Sequence, residues 1–165
     1  MRNLKKKAFA IYLIITLIFF GMLIKKEYAT DTYSVFNFNS EQIYMQYAML
    51  GRFVTAIIGK ALKVINIPEY GMYLCSWILA IICTVFSQYK LYTIIEKDVK
   101  NKVLKLLIPT LIIINPFSIE LFLYIEKGIM WFGILMCIVA VEKLIKYFEE
   151  KQKKYIFYTI LFMFA

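Results

Sequence analysis

Long uncharged, apolar stretches separated by short lysine-rich segments dominate the pattern along the chain. The runs over residues 8–24 and 71–89 are long enough to cross roughly 30 Å of hydrocarbon as helices. Two further spans are predicted over residues 106–125 and 128–147, and the apolar run over residues 155–165 opens a fifth that is too short to cross. The pattern therefore predicts an all-α, polytopic transmembrane helical bundle of four spans and a truncated fifth.

The third span is the hardest to delimit, because extending it to residue 125 includes a proline and a glutamate. Either Pro116 kinks one span, or Asn115-Pro116 ends it and a helix restarts at Ser118. Both alternatives return the chain across the membrane. The first run is interpreted as a retained span, because no small residues at cleavage-site spacing follow it.

A second kind of pattern lies between the first two spans. Apolar residues recur at helical spacing from Glu41 to Val64, and Arg52, Lys60 and Lys63 fall off that stripe. A basic amphipathic helix beside a membrane most often lies flat in the interface. We therefore expect one interfacial amphipathic helix outside the bundle.

Composition supports a membrane protein and sets its orientation. The 165 residues are 62% hydrophobic and 19% charged, which is far too apolar for a soluble domain. The 20 basic residues flank apolar runs, so the net charge of +9 is explained by the membrane and not by nucleic acid. An N-terminus in the cytoplasm puts 14 of these bases inside and six outside. We expect a multi-pass protein of the cell membrane, a bacterial inner or plasma membrane.

The residue types that the chain contains exclude some kinds of active site. There is no histidine, and the three cysteines stand singly in apolar runs. Zinc sites and histidine-based triads are therefore excluded within this chain, and neither a metal nor a cofactor is predicted. The incomplete fifth run indicates that residues 1–165 form one transmembrane domain that is the N-terminal part of a longer protein.

Two residues predicted to lie outside are candidates for chemistry. Asp31 is the only aspartate on that side, and it could take a proton from an attacking sugar hydroxyl as general base. The alternative is an ordinary solvated aspartate in a loop. Arg52 lies at headgroup depth, where a guanidinium can bind the phosphate of a polyprenyl phosphate or that of any phospholipid.

The segment SIELFLYIEKG supplies a third set. If it is helical, Glu120, Tyr124 and Lys127 share one face, and ionisable residues this near the hydrocarbon usually face a cavity or a partner. The alternative is that Glu126, Lys127 and Gly128 form a hydrated turn between two spans.

The order of these features resembles the type II O-antigen glucosyltransferase family. The resemblance rests on Asp31, on Gly51-Arg52 in QYAMLGRFVT, and on the segment NPFSIELFLYIEKGIM. Those multi-span, C-type (GT-C) enzymes are thought to transfer a hexose from a polyprenyl phosphate to a glycan on the outer face. The resemblance covers nearly the whole chain, but it matches only the N-terminal part of such an enzyme.

The resemblance implies that Asp31 is the family's external acidic residue and that Gly51 and Arg52 are its glycine-arginine pair, and we hypothesise roles for the other candidates beside them. Asp31 would be the catalytic base, and Arg52, with Lys60 and Lys127, would hold the donor phosphate. Glu120 and Glu126 would bind substrate. The predicted function is therefore a membrane glycosyltransferase, or an inactive fragment of one, transferring a hexose, glucose in that family, to an extracytoplasmic glycan. The alternative is a non-catalytic membrane protein, such as a lipid-carrier flippase subunit or a partner of a polysaccharide export system.

Overall fold

The computed structural model describes residues 2–24 and 37–163, with side chains from residue 7 onward. These residues form helices joined by turns. The eight α-helices described are α1 (Arg2–Phe20), α2 (Ser40–Met49), α3 (Phe53–Val64), α4 (Glu69–Ile95), α5 (Lys102–Ile113), α6 (Pro116–Leu121), α7 (Lys127–Glu150) and α8 (Lys153–Met163). A short 3-10 helix, Gly21–Ile24, extends α1.

Three helices are long and apolar enough to cross a membrane. They are Lys7–Ile24, Glu69–Ile95 and Lys127–Glu150. These helices include every residue of the predicted spans 8–24, 71–89 and 128–147. The prediction of an all-helical fold is thus confirmed for the described residues, and three of the helices are long and apolar enough to be candidate membrane spans.

The contacts between long helices fix their directions. Helices α4 and α7 run parallel, because residues 52 positions apart face each other at both ends, in the pairs Ser76–Gly128, Lys90–Glu142 and Lys97–Glu149. Helix α1 is antiparallel to α4, since Trp77 donates to the Phe20 carbonyl and Gln88 to the Thr16 hydroxyl. Residues 98–126 must therefore return along the length of the bundle.

That return is made by a broken helix. Helix α5 ends at Ile113, and the Asn115 side chain then caps α6, whose first residue is Pro116. The Ser118 hydroxyl accepts from the Asn115 backbone N–H in return. Of the two alternatives for this segment, the structure has the one in which the helix ends and restarts. It restarts at Pro116, two residues before the predicted Ser118, because proline suits the first turn of a helix.

The predicted single amphipathic helix over residues 41–64 is wrong. The chain forms an antiparallel hairpin of α2 and α3, with a break at Leu50, Gly51 and Arg52. Gly51 has a φ of +72°, a conformation that glycine adopts without strain and that reverses the chain. The apolar stripe continues through the break because Ile43 and Tyr47 of α2 pack against Ala56 of α3.

Large aromatic side chains fill the core of the bundle. Phe20 stacks on Phe122 at 4.1 Å between ring centroids, and Trp131 lies 5.4 Å from Phe122. All three rings are fully or almost fully buried. This cluster joins α1 to the turn that follows α6 and to α7.

The last helix turns back along α7. Lys151 adopts a left-handed conformation and ends α7, and the Thr159 hydroxyl of α8 then contacts the Ala140 carbonyl at 3.4 Å. At this end of the bundle Glu142 accepts hydrogen bonds from Lys90 at 2.8 Å and pairs with Lys146 at 3.2 Å.

Candidate functional site

The predicted site residues that come together lie at one end of the bundle, where α1 ends and α4 and α7 begin. We call it the hairpin end, because the α2–α3 hairpin lies there. Arg52 Nη1 donates to Glu126 Oε1 at 3.0 Å, and the Tyr47 hydroxyl donates to Glu126 Oε2 at 3.2 Å. The Glu126 side chain is only 8% exposed, whereas that of Arg52 is 46% exposed. Both oxygens of a nearly buried carboxylate are thus engaged by the hairpin.

The break in the hairpin determines where Arg52 lies. The backbone N–H of Arg52 donates to the Tyr47 carbonyl at 2.9 Å, and that of Gly51 donates to the Ala48 carbonyl at 3.0 Å. These two bonds close the end of α2 and bring Arg52 beside Tyr47. The two donors of the site therefore owe their proximity to the turn and not to a helical stripe.

Lys127 follows Glu126 but lies in a different environment. Its side chain is fully buried, and its ammonium lies 3.3 Å from the centroid of the Tyr73 ring on α4. The Tyr73 hydroxyl donates in turn to the Leu23 carbonyl at the end of α1. Within residues 37–163 and 2–24, Lys127 Nζ has no hydrogen-bond partner. A desolvated cation over an aromatic face is stabilised by about 2 kcal/mol, so Lys127 ties α7 to α4.

The first turn of α7 is pressed against α4. The Gly128 N–H donates to the Ser76 hydroxyl at 2.9 Å. A Cβ atom on Gly128 would come within 2.8 Å of the Ser76 carbonyl oxygen, so only glycine fits here without movement. This contact holds Glu126 and Lys127 at a fixed position relative to α4.

A cleft of about 260 Å³ lies between the hairpin and the starts of α4 and α7. Its walls are mostly apolar, and the lining includes Ile58, Leu62, Met72, Leu79 and Ile129. Glu126 and Lys63 also line it. The charged cluster therefore borders an apolar cleft.

The other predicted site residues lie apart from this cluster or outside the described part. Lys60 pairs with Glu41 at 2.7 Å and lies over the Tyr44 ring at 5.2 Å. Glu120 is exposed on α6, which ends at Leu121, so it does not share a helix face with Tyr124 and Lys127 as expected. The expected face is lost because residues 122–126 form turns. Asp31 lies outside the described residues.

Sequence reasoning missed two contacts of the candidate site. Tyr47 was interpreted as part of an apolar stripe, yet its hydroxyl bonds to Glu126. Tyr73 lies within the predicted span 71–89, and nothing in the pattern of that span indicated that it is fully buried against Lys127. No local pattern could have found the first contact, because Tyr47 and Glu126 are 79 residues apart.

Metal-binding side chains do not gather in the described part of the chain. Among residues 2–24 and 37–163, no three histidine, cysteine, aspartate or glutamate side chains lie close enough together to hold a metal ion. The three cysteines are free: Cys83 is buried, and Cys75 and Cys137 are exposed.

Comparison with known proteins adds no relative to this description. No protein-family model matches the chain, and no curated protein or solved structure matches it either. The resemblance to type II O-antigen glucosyltransferases stays a prediction, and the site is described from the residues of this chain alone.

Proposed function

We propose that this chain belongs to a membrane glycosyltransferase. In this proposal a hexose, glucose if the family resemblance holds, passes from a polyprenyl phosphate to an extracytoplasmic glycan such as O-antigen. The observation that carries the proposal is the Arg52–Glu126–Tyr47 cluster, which borders an apolar cleft at one end of a bundle of apolar helices. A lipid-linked phosphate needs this combination of a basic group and an apolar surface.

The topology belongs to the same proposal. The N-terminus lies in the cytoplasm of a bacterial cell. The membrane is crossed by α1, by α4, by the broken helix α5–α6 and by α7, and α8 belongs to a fifth span. The parallel course of α4 and α7 supports a crossing between them. The hairpin then lies in the outer interface, and its exposed apolar residues, including Phe53 and Ile57, face the lipid.

The proposed reaction assigns a role to each group. Asp31 takes the proton of the attacking hydroxyl while that oxygen forms a bond to the anomeric carbon. The bond from that carbon to the phosphate oxygen breaks, and the polyprenyl phosphate leaves with the electron pair. Arg52 binds this phosphate, and Lys60 and Glu120 bind more distant parts of the substrates. The burial of Lys127 favours a supporting role for it, in which it holds Glu126 and α7 in place.

A second candidate is a non-catalytic membrane protein, such as a flippase subunit or a partner of a polysaccharide exporter. One observation favours it: Glu126, the carboxylate that lines the cleft, already has both oxygens engaged. Such a protein would bind the lipid but would not need Asp31.

Transfer of labelled hexose separates the two candidates. Membranes containing the full chain receive polyprenyl phosphate glucose with a radioactive sugar, and label in the glycan is counted. We expect Asp31→Asn to lower transfer at least 100-fold, because a general base contributes about 10²–10⁴-fold to the rate. Asp98→Asn is the matched control, because Asp98 lies near the opposite end of the bundle. Equal transfer by Asp31→Asn and its parent would contradict the proposed base, and lipid binding without any transfer would favour the second candidate.

A further inference from the structure

Two hydrogen-bond donors of α7 have no acceptor in the described part of the chain. They are Lys127 Nζ and Trp131 Nε1, and the two residues are 0% and 1% exposed. A buried donor without an acceptor is costly because it has given up its bonds to water, and a charged donor costs more than a neutral one. The two donors therefore point to an acceptor that the described residues do not supply.

The two donors lie on the same face of α7. Residues four positions apart in a helix are about 6 Å apart along its axis and point the same way. One ion at a hydrogen-bond distance of about 3 Å from each donor spans that separation. Aromatic rings flank the donors, since the Tyr73 ring centroid lies 3.3 Å from Lys127 Nζ and the Phe122 ring lies 5.4 Å from that of Trp131.

The charges at the hairpin end leave Lys127 uncompensated. Glu126 pairs with Arg52 at 3.0 Å, and Glu41 pairs with Lys60 at 2.7 Å, so each of these carboxylates is matched by its own basic group. Lys127 is also the first residue of α7, and the N-terminus of a helix adds positive potential. The acceptor that these donors require is therefore an anion.

We propose that the bundle holds a small monovalent anion, such as chloride, between Lys127 and Trp131. The Lys127 ammonium and the Trp131 indole N–H both donate to this ion, which neutralises the buried charge. Both donors are enclosed, which favours an ion of a single atom over a phosphate that stays joined to a lipid. The site is thus separate from the lipid-linked donor of the proposed function and does not depend on it.

Tryptophan fluorescence detects an ion at this site, because iodide quenches an indole that it contacts. Trp77→Phe leaves Trp131 as the single tryptophan of the full chain. Trp131 is 1% exposed, so iodide from the solvent meets it rarely and strong quenching requires a bound ion. In detergent micelles we expect quenching that saturates with iodide and that chloride reverses, while gluconate at equal ionic strength has no effect. Quenching that stays linear with iodide concentration, or no quenching, would overturn the proposal.

Two lysines provide a matched pair of variants in the Trp77→Phe background. Lys127→Met removes the buried charge, whereas Lys97→Met removes a charge whose side chain is 75% exposed at the opposite end of the bundle. We expect Lys127→Met to weaken iodide binding at least tenfold and Lys97→Met to leave it within twofold of the parent. Equal binding by the two variants would contradict the assignment of the site to Lys127.

Thermal unfolding tests the site without a fluorescence probe. When chloride replaces gluconate at ten times its dissociation constant, we expect the Tm of the parent to rise by about 3–6 °C, because the ion binds only the folded chain. Lys127→Met should not respond to chloride, and in gluconate alone it should be no less stable than the parent. Trp131→Phe keeps an aromatic ring but loses the N–H, so its response should be less than half that of the parent. Equal responses of Lys127→Met and the parent would show a general salt effect and would overturn the site.

Polyprenyl phosphate tests whether this anion site and the proposed donor site are separate. We expect polyprenyl phosphate to leave iodide quenching of Trp131 unchanged, because its phosphate cannot reach the enclosed donors. Displacement of iodide by polyprenyl phosphate would contradict a separate halide site and would assign Lys127 to the donor.

Discussion

Glu126 joins the α2–α3 hairpin to the start of α7 through an ion pair with Arg52 and a hydrogen bond from Tyr47. Replacing it with alanine removes an ion pair and a hydrogen bond and leaves Tyr47 without its acceptor. We expect a loss of about 1–2 kcal/mol in the free energy of unfolding, since Arg52 is partly solvated and each such bond contributes about 1 kcal/mol. Urea unfolding in detergent micelles measures it. Glu120→Ala, on an exposed glutamate, is the control and should change stability by less than about 0.5 kcal/mol. Equal losses in the two variants would contradict the importance of the Glu126 contacts.

The buried pair of Lys127 and Tyr73 makes a different prediction. Tyr73→Leu leaves the Lys127 ammonium buried without its aromatic partner, so we expect a loss of about 2–4 kcal/mol in unfolding free energy. Lys127→Met removes the charge and keeps the length of the side chain, so stability should stay the same or rise. The double variant should recover part of the loss of Tyr73→Leu. Additive effects of the two substitutions, measured by the same unfolding assay, would show that the two side chains are not coupled.

At the scale of helices, the contact between α4 and α7 depends on Gly128. Gly128→Ala puts a methyl group 2.8 Å from the Ser76 carbonyl oxygen, so the helices must separate, and we expect a loss of about 1–3 kcal/mol. Gly133→Ala is the matched control on the same helix, because nothing lies within 4 Å of the added carbon. The control should be neutral or stabilising, since alanine favours helix over glycine. Thermal unfolding compares the two variants, and similar melting temperatures would contradict the close packing.

The helices also show which parts of the fold the pattern of apolar residues predicts. This pattern predicted the three long helices, because a run of apolar residues long enough to cross a membrane is visible in the sequence itself. It did not predict the break at Gly51, because the apolar stripe of α2 continues on α3 once the hairpin closes. It left two alternatives at Asn115-Pro116, where the capping bonds of Asn115 and Ser118 decide that α6 is a separate helix.

The candidate site was predictable only in part, for a related reason. Arg52 was selected because a guanidinium at headgroup depth can bind a phosphate, and Glu126 and Lys127 were selected because ionisable residues near the hydrocarbon usually face a cavity or a partner. Their division into an ion pair and a buried cation depends on contacts between distant segments, which no local spacing encodes. Lys60 was selected as a further basic group for the donor phosphate, yet it pairs within the hairpin with Glu41.

For the molecule as a whole, the position of the candidate site depends on which ends of the helices lie on the same side of the membrane. Helices α4 and α7 run parallel, so residues 66 and 123 lie near one end of the bundle and residues 98 and 152 near the other. If the chain crosses the membrane as proposed, the broken helix α5–α6 carries it from the second end to the first. The hairpin, Arg52 and Glu126 then face the outside of the cell.

Single-cysteine labelling in intact cells tests this arrangement most directly. Cys75, Cys83 and Cys137 are first replaced by serine, and one cysteine is then introduced at Asn66, Leu123, Asp98 or Gln152. A maleimide that does not cross membranes should label positions 66 and 123 in intact cells, and positions 98 and 152 only after lysis. Labelling that separates position 66 from position 123 would contradict the parallel helices, and labelling of 98 and 152 alone in intact cells would contradict the outward-facing site.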